Sequence, residues 1–158
     1  MREDFVTAYI GIGANLGDAA RSVREAMESL EHLAGTRVTA RSRLYRSAPH
    51  MASGPEFINA VVQITTRLGA IDLLATLQQL ERVAGRERPY PNAPRTLDLD
   101  LLLYGSARID SPHLTLPHPR MAGRAFVLQP LAEIAPDRVD PGQLRATAGQ
   151  DVSVYSCP

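Results

Sequence analysis

Thr96-Leu97-Asp98-Leu99-Asp100-Leu101-Leu102-Leu103-Tyr104 reads as a β-strand, polar in its first half and apolar through its second. Successive side chains on a strand point to opposite faces. Asp98 and Asp100 therefore share one face, about 6.5–7 Å apart along the chain, while Leu97 and Leu99 take the other. Leu101-Leu102-Leu103 is apolar at consecutive positions, which predicts a strand covered on both sides. Tyr104-Gly105-Ser106 then turns the chain.

Working upstream, Arg86 to Pro94 holds Pro89, Pro91 and Pro94 without apolar periodicity and reads as a loop. Before it, Ile71 to Ala84 reads as a helix with Ile71, Leu74, Leu77, Leu80 and Val83 on one face, closed by Gly85. Phe57 to Thr66, with β-branched Val61, Val62 and Ile64, predicts a strand, and so does Arg37 to Arg46. The turn-forming stretch from Ala48 to Pro55 separates them. Asp18 to Leu33 carries Val23, Met27, Leu30 and Leu33 at helical spacing, with Asp18 as N-cap and Gly35 as stop. Val6 to Ile12 is an apolar strand, and Gly11, Gly13 and Gly17 are read as a tight turn after it. Their spacing resembles a dinucleotide fingerprint, but Leu16 stands where the third glycine belongs and no acidic residue closes a second strand.

Downstream, a proline-rich segment spans Asp110 to Pro119, and Arg124 to Ala135 predicts a helix broken at Pro130. Residues beyond Pro136 are weakly patterned. The order strand, helix, strand, strand, helix, strand is the split βαββαβ arrangement. The expected fold is therefore α+β: a ferredoxin-like core with an antiparallel sheet between helices, in three layers, and C-terminal additions. Residues 1–158 are expected to form one domain.

Composition narrows the chemistry. The chain is 44% hydrophobic and 22% charged, ordinary values for a globular protein. No apolar run approaches the roughly 20 residues of a membrane helix. The start, Met1-Arg2-Glu3-Asp4-Phe5, carries acids and reads against a signal peptide. The one cysteine, Cys157, excludes an internal disulfide framework, and the cytoplasm is the expected compartment. Net charge is zero, so nucleic acid is not an expected partner. With no membrane helix, a membrane is not one either; the expected partners are small molecules and the expected form is a monomer. All 17 basic residues are arginine. The absence of lysine rules out a phosphate-loop lysine, a kinase strand lysine and Schiff-base chemistry.

Two carboxylates on one strand face repel, and desolvating each without a partner costs several kcal/mol. Something positive is expected beside them. Magnesium takes one or two carboxylates together with phosphates and waters, and no cysteine cluster or histidine pair offers a zinc site. The bland alternative is that both aspartates pair with Arg95 and other arginines at a strand end. Against it, Arg86, Arg88 and Arg95 bracket the pair, with His113, Thr115, His118, Arg120 and Arg124 downstream. Arginine forks match phosphate oxygens.

These stretches resemble the 6-hydroxymethyl-7,8-dihydropterin pyrophosphokinases of folate biosynthesis. Pro94-Arg95-Thr96-Leu97-Asp98-Leu99-Asp100 matches the family signature. Ala8 to Gly17, Tyr45 to Pro49, Phe57 to Ala60, Leu114 to Met121 and Arg124 to Leu131 match in order, so the resemblance covers roughly residues 7–140. It implies transfer of pyrophosphate from ATP to the pterin hydroxymethyl group, releasing AMP. It also implies two Mg2+ ions bound by Asp98 and Asp100, with Arg86 and Arg95 neutralising the phosphates. By the same resemblance Gln78, Glu81, Arg88, Leu101, His113, Thr115, His118 and Arg124 would surround ATP, with His113 where some relatives carry arginine. Phe57 and Phe126 would sandwich the pterin and Asn59 would bond its edge. Ser47 and His50 would offer backbone groups beside Ala48 and Pro49.

The chain departs from many relatives at Asn92-Ala93, where they carry a tryptophan-glycine pair, and its 86–94 loop is one residue shorter. Two other readings of the aspartates stay open: a metal-dependent nuclease or nucleotidyltransferase, and a non-enzymatic ferredoxin-like binding module.

Overall fold

The computed structural model describes residues 1–49, 54–85 and 97–156. The elements run β1 (Val6–Ala14), α1 (Ala19–Glu31), β2 (Thr36–Arg41), β3 (Tyr45–Ser47), β4 (Phe57–Thr66), α2 (Ala70–Gly85) and β5 (Asp98–Tyr104). A two-stranded hairpin, β6 (Ile109–Asp110) and β7 (Thr115–Leu116), precedes α3 (Ala125–Ile134), α4 (Pro141–Ala146) and β8 (Val152–Val154). The large sheet is ordered β5-β1-β4-β3-β8, with β2 also pairing with β4, and every pairing is antiparallel. This is the expected ferredoxin-like α+β core.

Side-chain alternation divides the sheet between two cores. Ala8, Ile10, Ile12 and Ala14 of β1 pack with Ile58, Ala60, Val62 and Ile64 of β4 against α1 and α2. On the other face Tyr9, Val61, Leu102 and Leu103 meet Val127, Leu128 and Leu131 of α3. Burying each Val, Leu or Ile side chain among these contributes about 1.5–3 kcal/mol. Leu101 faces the first core, whereas Leu102 and Leu103 both face the second, because the register with β1 shifts there: Ile10 opposes Leu101 and Tyr9 opposes Leu103. The extra residue is a β-bulge.

Several boundaries differ from the sequence reading. Gly11 and Gly13 lie inside β1, not in a turn; only Gly17 turns the chain, at φ 60°. The segment expected as one strand over 37–46 is two, because Ser42 breaks the ladder. Its hydroxyl accepts from the Val61 amide at 2.9 Å and donates to the Arg43 carbonyl at 2.7 Å. On α2 the buried residues are Leu73 and Leu77, while Ile71 and Val83 are exposed. Steps of three residues fall 60° short of a full turn each time, so five such positions cannot share a face.

At the other end, α3 runs through Pro130 unbroken, forgoing only the bond that a Pro130 amide would make four residues back. The weakly patterned tail adds β8, which pairs with β3. Asp18 caps α1 as expected, accepting from the Arg21 amide at 3.1 Å. His32 stands exposed at the end of that helix. The 86–94 loop, with Asn92-Ala93, and Cys157 lie outside the described residues.

Candidate active site

The face of the sheet toward α3 carries a row of residues fixed by strand register. Asp98 of β5 opposes Gly13 of β1, Gly13 opposes Asn59 of β4, and Asn59 opposes Tyr45 of β3. One step along, Asp100 opposes Gly11, which opposes Val61. The glycines keep this floor open. A Cβ at position 13 would come within 3.2 Å of Asn59 Oδ1.

A cavity of about 540 Å³ lies over that floor. Ser47, Ala48, Pro49, Phe57 and Asn59 line its sheet side, and Gly123, Arg124 and Phe126 its α3 side. Asn59 is buried, and its Nδ2 donates to Ser47 Oγ at 2.8 Å. That bond fixes which way the amide points, leaving Oδ1 toward Gly13. The Arg124 guanidinium sits 5.4 Å from the Phe126 ring centre, within cation–π range. The chamber is aromatic at Phe57 and Phe126 and polar at Ser47 and Asn59.

A second cavity, of about 330 Å³, opens between α2 and the segment after β6. Gln78 and Glu81 line it from α2, Leu101 from the sheet, and His113, Thr115 and His118 from the far side. Ser111 holds that far side in shape, its hydroxyl accepting from the Leu114 amide at 3.1 Å and donating to the Leu114 carbonyl at 2.9 Å. The His118 amide donates to the Leu102 carbonyl at 2.9 Å, tying the segment to β5. The His118 ring accepts at Nδ1 from the Arg120 amide at 3.2 Å. Burial pushes the His118 pKa below its ordinary value against the pull of Asp100, and Arg124 and Arg120 push it the same way as burial.

Asp98 and Asp100 line both cavities. They stand where a ligand in one chamber would meet a ligand in the other. Among the described residues no group of three or more His, Cys, Asp or Glu side chains could hold a metal by itself. Two carboxylates beside a polar cavity could hold a hard cation only together with further oxygen donors, such as phosphate and water.

The residues expected from sequence thus fall into two sets. Gln78, Glu81, Leu101, His113, Thr115 and His118 gather at the smaller cavity; Ser47, Ala48, Pro49, Phe57, Asn59 and Phe126 gather at the larger. Arg124, expected near ATP, lines the larger cavity. Arg86, Arg88, Arg95 and His50 lie outside the described residues. The sequence reading missed Gly11 and Gly13 as the floor, and it missed Gln150, Asp151 and Val152, which also line the larger cavity. The glycines were detectable, since they alternate with Ile10 and Ile12. No local signal marks residues 150–152.

The fold is thus an antiparallel α+β sheet with paired carboxylates between two cavities. Comparison with known proteins makes the class specific. The family model described as 7,8-dihydro-6-hydroxymethylpterin-pyrophosphokinase matches residues 9–136. A 2-amino-4-hydroxy-6-hydroxymethyldihydropteridine pyrophosphokinase of Pseudomonas aeruginosa is 45% identical over 130 residues, 82% of this chain and 80% of the relative. Proteins of the same name from Synechocystis sp. (43% over 134 residues, 85% and 69%) and Haemophilus influenzae (41% over 137 residues, 86% and 86%) are also similar. The chain belongs to the 7,8-dihydro-6-hydroxymethylpterin-pyrophosphokinase family.

Proposed function

We infer that this protein transfers the pyrophosphoryl group of ATP to the hydroxymethyl oxygen of 6-hydroxymethyl-7,8-dihydropterin, giving AMP and the pterin diphosphate in folate biosynthesis. Family membership supports the reaction. The observation that carries the site is that Asp98 and Asp100 form the wall common to both cavities. The pterin oxygen attacks the β-phosphorus, the bond from that phosphorus to the α-phosphate oxygen breaks, and the hydroxyl proton is released.

The larger cavity suits a flat heteroaromatic ring. Phe57 and Phe126 offer stacking faces, Asn59 offers a fixed amide edge, and Ser47, Ala48 and Pro49 line the same side. We assign ATP to the smaller cavity, with Gln78, Glu81, Leu101, His113, Thr115 and His118 around it and Arg124 reaching from the other side. Arg86, Arg88 and Arg95, which lie between α2 and β5 in the sequence, are proposed to neutralise the phosphates, and His50 to add a backbone contact to the pterin. With no lysine in the chain, that charge falls to arginine and metal.

Asp98 and Asp100 would hold Mg2+, two ions on the present reading. When bound, the metal supplies positive charge against the triphosphate and lowers the cost of charge build-up on the transferring group. The carboxylates hold that charge at the junction of the chambers. The Arg side chains offset the charge left on AMP, and holding both substrates together removes much of the entropic cost of their meeting. A monomer acting on these two small molecules is part of the same proposal. The cytoplasm, where ATP is available, is the proposed compartment.

Incubation with ATP, Mg2+ and 6-hydroxymethyl-7,8-dihydropterin, followed by nucleotide separation, tests the reading. Stoichiometric AMP that depends on pterin supports it. ADP as the product, or no turnover, refutes it.

A further inference from the structure

The first turn of α3 is held by a residue far along the chain. Its N-cap, Arg124, makes no side-chain hydrogen bond to that turn. Gln150 supplies it instead: Oε1 accepts from the Ala125 amide at 2.9 Å, and Nε2 donates to the Gly123 carbonyl at 2.9 Å. A helix start left without such a partner exposes unsatisfied amides.

The residues that follow Gln150 are tied to the opposite wall of the larger cavity. The Asp151 carbonyl accepts from the Ala48 amide at 3.2 Å, and Val152 pairs with Ser47. Arg46 strengthens this tie by donating to Asp151 Oδ1 at 3.3 Å and to Ser153 Oγ at 2.9 Å, while also pairing with Glu56. Within three residues the chain therefore spans from the turn that carries Arg124 and Phe126 to the strand that carries Ser47.

We propose that Gln150 is a positioning residue for the pterin, fixing Phe126 on α3 against the β3–β4 wall that carries Phe57 and Asn59. The proposal rests on the functional reading above. A stacked ring is sensitive to the separation of its two aromatic neighbours, and Gln150 is the side chain that locks the start of α3 to the segment carrying β8. Its amide is needed whole, because one end donates and the other accepts.

Gln150→Met keeps the length and removes both hydrogen bonds; Gln150→Glu keeps the acceptor for Ala125 and loses the donor to Gly123. In the full chain, Gln150→Met is expected to raise the pterin KM about tenfold, the effect of one or two net hydrogen bonds, with kcat and the ATP KM changed less than about twofold. Gln150→Glu is expected to recover part of the pterin KM. A pterin KM within about twofold of the parent in Gln150→Met overturns the proposal, as does a parallel rise in the ATP KM. Should Gln150→Met fail to fold, Gln150→Glu decides by the same split: a selective rise in pterin KM supports the role and an unchanged one overturns it. A parent protein that releases no AMP with pterin refutes the functional reading, whereas an active parent with an unaffected variant refutes this inference alone.

Discussion

Glu81 and Leu99 are joined by a hydrogen bond that ties α2 to β5: the Leu99 amide donates to Glu81 Oε2 at 2.9 Å. Leu99 lies between Asp98 and Asp100, so the glutamate fixes the backbone from which both carboxylates project. A hydrogen bond to a charged group contributes about 1.5–3 kcal/mol. Glu81→Ala is expected to lose stability of about that size in urea unfolding and to lower turnover. Glu81→Gln keeps an acceptor for the amide and is expected to recover most of the stability. If Glu81→Ala unfolds at the same urea concentration as the parent, the bond contributes nothing.

Asp98→Asn and Asp100→Asn test the shared wall. Each is close in shape to the parent, so the fold is expected to be kept. Turnover is expected to fall at least about 100-fold, as when an electrostatic group at a reacting phosphate is removed. The Mg2+ concentration for half-maximal rate is expected to rise in any variant with measurable activity. Near-parental AMP release by either variant would exclude that aspartate from the proposed metal site.

Gly13→Ala and Gly11→Ala separate two strand glycines that look alike in sequence. The added Cβ at position 11 meets Leu102 at 3.5 Å, an ordinary contact, and alanine also suits a strand better than glycine. At position 13 it lies 3.2 Å from Asn59 Oδ1, and Asn59 is held by Ser47. Gly13→Ala is expected to cost about 1–3 kcal/mol and to weaken pterin binding by calorimetry. Gly11→Ala is expected to remain near-parental in melting temperature and, since position 11 also lines the cavity, to weaken pterin binding less than Gly13→Ala does. Equal behaviour of the two variants would mean that Asn59 yields freely.

That these glycines read as a turn in the sequence and form a strand in the fold is a matter of local against non-local information. In β1 the apolar alternation of Ala8, Ile10 and Ile12 is itself a strand signal, but glycine between them weakens it. Only the placement of Asn59 and Asp98 opposite Gly13 shows why no side chain is wanted there. The core strands β4 and β5 were legible because their residues state their own period, as was the Asp98–Asp100 pair. The break between β2 and β3 was not, since it depends on the Ser42 hydroxyl bonding to Val61, 19 residues away. Strand β8 has only three residues and gains its structure from pairing with β3, so nothing in its own sequence announces it. The same reason hid Gln150, whose role exists only once α3 has come alongside.

Glu133 offers a pH-dependent test of how α3 is fixed to the sheet. Its Oε1 accepts from the Tyr45 hydroxyl at 2.6 Å and from Arg43 Nε at 3.2 Å, while Oε2 accepts from the Arg43 amide at 3.0 Å. Burial raises the carboxyl pKa, but the hydrogen bonds from Tyr45 and Arg43 outweigh it and hold the group below its ordinary 4.5. The Tyr45 hydroxyl is pushed up to about 12, by burial first and then by its bond to Glu133, so it remains a donor throughout the accessible range. A carboxyl whose pKa is lower in the folded state than in the unfolded state stabilises the fold above the unfolded value. That contribution declines as the pH falls below the unfolded value and is gone once the pH is below the folded one. The stability gap between the parent and Glu133→Gln is therefore expected to be constant above about pH 5.5 and to shrink below about pH 4.5. Urea unfolding of both proteins between pH 3.5 and pH 7 measures it. A gap that stays the same down to the lowest pH would show that the charge on Glu133 contributes nothing and that only its shape matters.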